Sequence, residues 1–168
     1  MEADPRALNN QELFKRWRDS RDSWDTEARK DIDFYLGNHF SSSESDELQS
    51  RNQADIPMDR VSPAVEKMKS FMTARPPVFT ALPREDSDDK MAKVWQTMLG
   101  SVWEHSDGDT HVKQAIHDFS TVGIGYIYCY IDREADMGRG DVRFTHINPF
   151  RVYVPPSSRD RWFSDADG

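Results

Sequence analysis

Apolar positions recur at helical spacing in four stretches of the chain and run unbroken in a fifth. From Gln11 to Leu36, Leu13, Phe14, Trp17, Trp24, Ala28, Ile32 and Tyr35 fall at helical intervals, which predicts one long helix stopped by Gly37-Asn38. Ser62-Pro63 reads as a cap followed by proline at the first helical position. Val65, Met68 and Met72 give that second helix its stripe, and Arg75-Pro76-Pro77 ends it. Val78 to Leu82 reads as a short strand closed by Pro83. Met91, Val94, Trp95, Met98, Leu99, Val102 and Trp103 then form an amphipathic repeat reaching about Glu104. The acids Asp86, Asp88 and Asp89, with Ser87 as candidate cap, sit at the positive end of that helix.

The stretch Thr110 to Asp132, THVKQAIHDFSTVGIGYIYCYID, organises the rest. Val112, Ala115, Ile116 and Phe119 share a helical face, and Tyr126 to Ile131 is a run of strand type. Gly123 and Gly125 lie between them, where a chain leaving a helix for a strand benefits from lacking a Cβ. They are not a phosphate-binding turn, because such loops run from strand to helix and carry a third glycine. Asp132 to Asp141 is a polar, glycine-bearing hairpin loop, and Val142 to Ile147 is the expected partner strand. Arg151 to Val154 reads as a further short extended piece.

These elements predict an α+β fold, with several amphipathic helices packed on a small, mainly antiparallel sheet or hairpin. Val94, Trp95, Met98, Leu99 and Val102 are expected to form the core with Ile116, Phe119 and the strand from Tyr126. Three segments follow: an N-terminal arm and helix over 1–40, a flexible polar loop over 41–57, and an α+β body over 58–168. The loop reading rests on the serine-rich stretch SSSESDELQSRNQA. Its acids Glu44, Asp46 and Glu47 lack the fixed geometry a cation needs. Trp17 and Trp24 on the first helix, and Trp162-Phe163 near the end, offer aromatic area beyond local need and are candidate subunit contacts.

Composition narrows the function. The net charge of −8 lacks the basic excess of a domain that grips phosphates. The single Cys129 excludes an internal disulfide, fits a reducing compartment, and reads as a buried thiol within its apolar run. No stretch approaches the roughly 18 apolar residues of a membrane span, and the first ten residues lack a signal peptide's pattern, so a soluble product of a cytoplasm is expected.

Catalytic patterns are weak. The five histidines, His39, His105, His111, His117 and His146, form no helical metal pair and lack a convincing carboxylate or Cys partner nearby, so satisfied or exposed histidines are expected. No Ser sits in a nucleophile elbow. Asp165-Ala166-Asp167-Gly168 resembles part of a calcium loop, but Phe163 stands where the first ligand belongs. Arg139-Gly140-Asp141 is explained by a glycine-rich turn. No catalytic, cofactor or metal site is expected.

Several pieces in this order resemble the portal proteins of tailed bacteriophages, in particular the subgroup typical of short-tailed phages. They are Ala28 to Gly37, Met58-Asp59-Arg60-Val61 leading into Pro63 to Met68, Ala74 to Val78, Asp118 to Tyr126, the paired strands to Ile147-Asn148-Pro149-Phe150, and the acidic end at Asp165-Ala166-Asp167. The chain departs from the pattern at His39-Phe40, at Asp59 and at Ala54-Asp55-Ile56-Pro57. The resemblance implies a structural, non-enzymatic subunit of a dodecameric ring at one capsid vertex, a virion protein through whose ring DNA passes during packaging and ejection. It implies capsid, scaffold, terminase and head-completion or tail proteins as partners, with no cofactor and no membrane. Family members are several times longer, so the resemblance places this chain in the outer wing, incomplete at its C-terminus. The competing expectations are a small metal-dependent nuclease using the acidic clusters, and an acidic adaptor or DNA mimic suggested by charge alone.

Overall fold

The computed structural model describes residues 5–83 and 89–159. The chain forms two compact units, one made of 1–59 and 149–168, the other of 60–148. The fold is α+β, with helices against a two-stranded antiparallel sheet.

In the first unit, the single helix expected from Gln11 to Leu36 is two, α1 (Pro5–Ser20) and α2 (Asp22–Tyr35). Ser20 Oγ donates to the Trp17 carbonyl at 2.7 Å, a local bond that competes with helix continuation. Arg21 leaves the helical region (φ −107°, ψ 5°), and Asp22 and Asp25 then occupy the positive first turn of α2. Gly37, at φ +84°, ends α2: its amide bonds Phe34 and the Asn38 amide bonds Asp33, which satisfies two carbonyls left over by the last turn.

The expected polar loop contains a helix, α3 (Ser42–Ser50). Ser41 Oγ accepts the Glu44 amide while the Glu44 carboxylate accepts the Ser41 amide at 2.8 Å. This capping box satisfies two donors at once, so a serine-rich segment poor in apolar residues still winds into a helix.

In the second unit, α4 (Val61–Met72) starts two residues before its proline, with Arg60 rather than Ser62 at the cap and no side-chain cap bond. Pro63 is tolerated because first-turn amides have no helical acceptor. Residues 78–82 belong to no helix, turn or ladder among the described residues, which corrects the expected strand. The expected cap at Ser87 lies outside the described residues. Helix α5 (Asp89–His105) leads through Ser106-Asp107 into α6 (Gly108–Val122). Strand β1 (Tyr126–Asp132) pairs antiparallel with β2 (Asp141–Ile147), from Tyr126 opposite Ile147 to Asp132 opposite Asp141. In the connecting turn Asp136, Met137, Gly138 and Gly140 all have positive φ. Helices α5 and α6 both pack on β2, and α6 packs on α4. After β2 the chain makes a 3₁₀ turn at Pro149–Arg151, where an extended piece was expected to begin.

Among the described residues the buried apolar side chains are small: Ala28, Val65, Ala115 and Val122, with Pro149 and Pro155. No large side chain is fully buried among the described residues. Cys129, expected inside, is exposed. Among the described residues its strand has a hydrogen-bonded neighbour on one side only, and an apolar run does not bring burial with it.

Candidate functional site

The glycine junction sets β1 against α6. Gly123 caps α6 in the left-handed region, φ +83°, and its amide bonds the Phe119 carbonyl at 3.0 Å. Gly125 lies against the helix backbone. A Cβ there would overlap the Ala115 carbonyl oxygen and stand 2.8 Å from its carbon. The first glycine thus turns the chain and the second lets strand and helix touch main chain to main chain.

Trp103 is the aromatic centre of this unit. Its ring centroid lies 4.9 Å from Phe79 and 5.7 Å from Phe144, and its indole N–H donates to Asp109 at 3.0 Å. Buried Gly108 sits beneath the indole, where a Cβ would collide with it. Beside it a cavity of about 450 Å³ is lined by Met72, Pro76, Pro77, Phe79, Trp103 and Val112. Arg143 closes the end of α5 by donating to the His105 carbonyl.

The α5 stripe expected as core lies on the surface. Exposure falls along it from 58% at Met91 through 53% at Val94 and Trp95 and 49% at Met98 to 38% at Leu99. Phe119 is also exposed, while Val102 and Ile116 are half-buried. The gradient has a simple cause. A 17-residue helix is about 25 Å long, and β2 and α6 cover its C-terminal part, where Trp103 sits. Periodicity shows which face is apolar but not how far along the helix a neighbour reaches.

Histidine partners appear that sequence proximity could not show. His146 on β2 and Asp118 on α6 share a 2.6 Å hydrogen bond, 28 residues apart. His117 Nδ1 stands 4.0 Å from the Glu66 carboxylate on α4. Among the described residues no group of three or more His, Cys, Asp or Glu is placed to hold a metal ion.

In the first unit, Arg21 is the hub. It pairs with Asp25 at 2.6 Å and donates to the carbonyls of Val152 and, at 3.3 Å, Pro149. Its guanidinium lies 4.9 Å from the Trp24 ring and 4.7 Å from Tyr153. Trp24 meets Phe150 at 5.4 Å and Phe14 meets Tyr153 edge-on at 4.7 Å. Trp24, expected to face a neighbour, is half-buried against residues 149–153 of its own chain, and Trp17 is half-buried as well. Trp162 and Phe163 lie outside the described residues. The signal missed at Arg21 was a basic residue on the apolar side of the helix, flanked by two tryptophans.

Each of these contacts joins elements within one of the two units. What remains is apolar surface on α5, on β1 (Ile127, Tyr128, Ile131) and on α4 (Met68, Phe71, Met72). Large exposed apolar patches are the surfaces on which soluble proteins meet partners. A model of the family described as Phage P22-like portal protein matches residues 11–167. The chain belongs to this family. No curated protein matches it. Portal proteins are structural components of the bacteriophage capsid that serve DNA packaging, with copies of themselves in a ring and capsid proteins as neighbours. Its place is accordingly the virion. Among the described residues no helix is long and apolar enough to cross a membrane.

Proposed function

We propose that this chain is the wing portion of a portal subunit, a structural and non-enzymatic part of a dodecameric ring at the capsid vertex. The ring is the channel for genome packaging and ejection and the platform on which terminase and head-completion proteins dock. The observation that carries this reading is the family match over almost the whole chain, 11–167. The apolar faces of α5 and β1 support it, since a ring subunit must keep area in reserve for its neighbours. The residues expected as core, Val94, Trp95, Met98 and Leu99, are on this reading contact residues of the assembly.

The test is the assembly state of the full chain purified from particle-producing cells. Ring-shaped particles in negative stain, with a mass many times that of one copy, are expected. A protein that stays single-copy there at every concentration refutes the reading.

A further inference from the structure

The second unit holds two uncovered β-forming stretches that do not pair with each other. One is the outer edge of β1, which is laddered on one side only, to β2, among the described residues. From Ile127 to Ile131 it reads IYCYI, without charge or proline, and every one of these residues is exposed. Proteins ordinarily blunt such an edge with Lys, Pro, a bulge or a covering element. The other stretch is 78–82, VFTAL, also uncharged. Its side chains alternate. Phe79 turns inward onto Trp103, while Val78 and Leu82 stand 83% and 82% exposed. Among the described residues its main chain enters no backbone hydrogen bond. Pro77 and Pro83 bound it, as prolines bound short edge strands. In its alternation it has the pattern of a strand, and it lacks a partner among the described residues.

We propose that residues 78–82 of one copy add as a strand to the free edge of β1 in the next. This rests on the ring reading above and assigns the surfaces that ring needs. An edge that pairs with its own kind is two-fold and closes as a dimer. A ring needs two different patches on each chain, a donor and an acceptor, and these stretches supply them. Charge favours the match. At a net charge of −8 most ways of bringing two copies together oppose carboxylates, whereas neither VFTAL nor IYCYI carries any. Main-chain hydrogen bonds supply the affinity, and alternate side chains the register. The added strand also turns a marginal two-stranded hairpin into a sheet of three.

Cys129 is the only cysteine, exposed, and in the centre of the acceptor edge, so it serves as the probe. Val78→Cys, Thr80→Cys, Ala81→Cys and Leu82→Cys, made singly in the full chain, sample both faces of the donor strand. Assembled protein is treated with a mild oxidant and run on a non-reducing gel. At least one variant is expected to give a covalent ladder running past the dimer, several-fold above the unsubstituted chain. Adding Thr80→Pro to that variant, or Ala81→Pro where the variant is Thr80→Cys, should abolish the ladder and leave the far-UV spectrum unchanged, because among the described residues neither amide holds a backbone bond. Absence of a ladder from all four variants overturns the proposal. So does a Cys129–Cys129 dimer in the unsubstituted chain, which would mean like-with-like pairing of β1. Negative stain of the same samples separates the two claims. Rings without a ladder refute strand addition and leave the ring reading standing, and absence of rings refutes both.

Discussion

Gly125→Ala should damage this fold more than the same change two residues away at Gly123. At Gly125 the new methyl overlaps the Ala115 carbonyl oxygen and stands 2.8 Å from its carbon and 3.2 Å from its Cα. All three are main-chain atoms of a buried residue in α6, so no side-chain rotamer relieves the contact. β1 must move off the helix, and the His146–Asp118 bond between β2 and α6 is strained with it. Overpacking costs about 1–3 kcal/mol, and a clash with main chain belongs at the upper end, about 3 kcal/mol. For a domain of this size that corresponds to a fall in melting temperature of roughly 6–12 °C. Gly123 has open space around it, and its only constraint is φ +83°. Gly123→Ala should cost about 1–2 kcal/mol, and Gly123→Asn less, because Asn tolerates the left-handed region. Urea unfolding followed by far-UV circular dichroism gives the comparison, with equal slopes required before midpoints are read as stability. If Gly125→Ala proves as mild as Gly123→Ala, the close approach of strand and helix is not what fixes this junction.

Arg21→Ala leaves Asp25 and the carbonyls of Val152 and Pro149 without their donor, and should cost about 2–3 kcal/mol; both charged side chains keep some solvent, so the loss stays below that of a fully buried pair. A double-mutant cycle with Asp25→Ala should show coupling near 1 kcal/mol or more, and additive losses would mean that the pair contributes nothing. The Glu44 carboxyl is held below its ordinary range by hydrogen bonds from the Ser41 hydroxyl and amide. Because its folded pKa is depressed, its contribution to α3 is present above the unfolded value and lost as pH falls through the folded one. Amide exchange in α3 should therefore accelerate in acid, and Glu44→Gln should remove that dependence; an unchanged acid profile in the variant would assign the effect elsewhere. With 22 basic residues against 30 acidic ones, no duplex binding is expected at about 0.15 M salt, where the Debye length is about 8 Å, and no cleavage with Mg²⁺ or Mn²⁺. Micromolar affinity with a steep salt slope, or metal-dependent nicking, would count against a structural wing role.

The α+β class, the two helices carrying Met91 to Trp103 and Val112 to Phe119, and the hairpin from Tyr126 to Ile147 were legible in the chain because each is a local matter; the tight turn expected at 106–109, before a helix from Thr110, is instead where α6 begins, at Gly108. Apolar period, glycine placement and turn chemistry act within a few residues of one another. A glycine junction between Val122 and Tyr126 was legible for the same reason, although only the packing of β1 on α6 separates a glycine that turns the chain from one that lets backbones touch. What the chain could not disclose depends on neighbours distant in sequence. Arg21 breaks a helix whose apolar period runs on, and its guanidinium meets carbonyls some 130 residues later. Ser41 and Glu44 could have announced α3, but a capping box in a segment poor in apolar residues is easily read as loop. The α5 stripe shows the limit most directly. The same period that marks Trp103 as inward marks Trp95 as inward, and only the reach of β2 and α6 leaves one among aromatic partners and the other in solvent. An apolar face is a property of the sequence. Whether the molecule's own chain covers it or leaves it to another copy is decided by the geometry of packing.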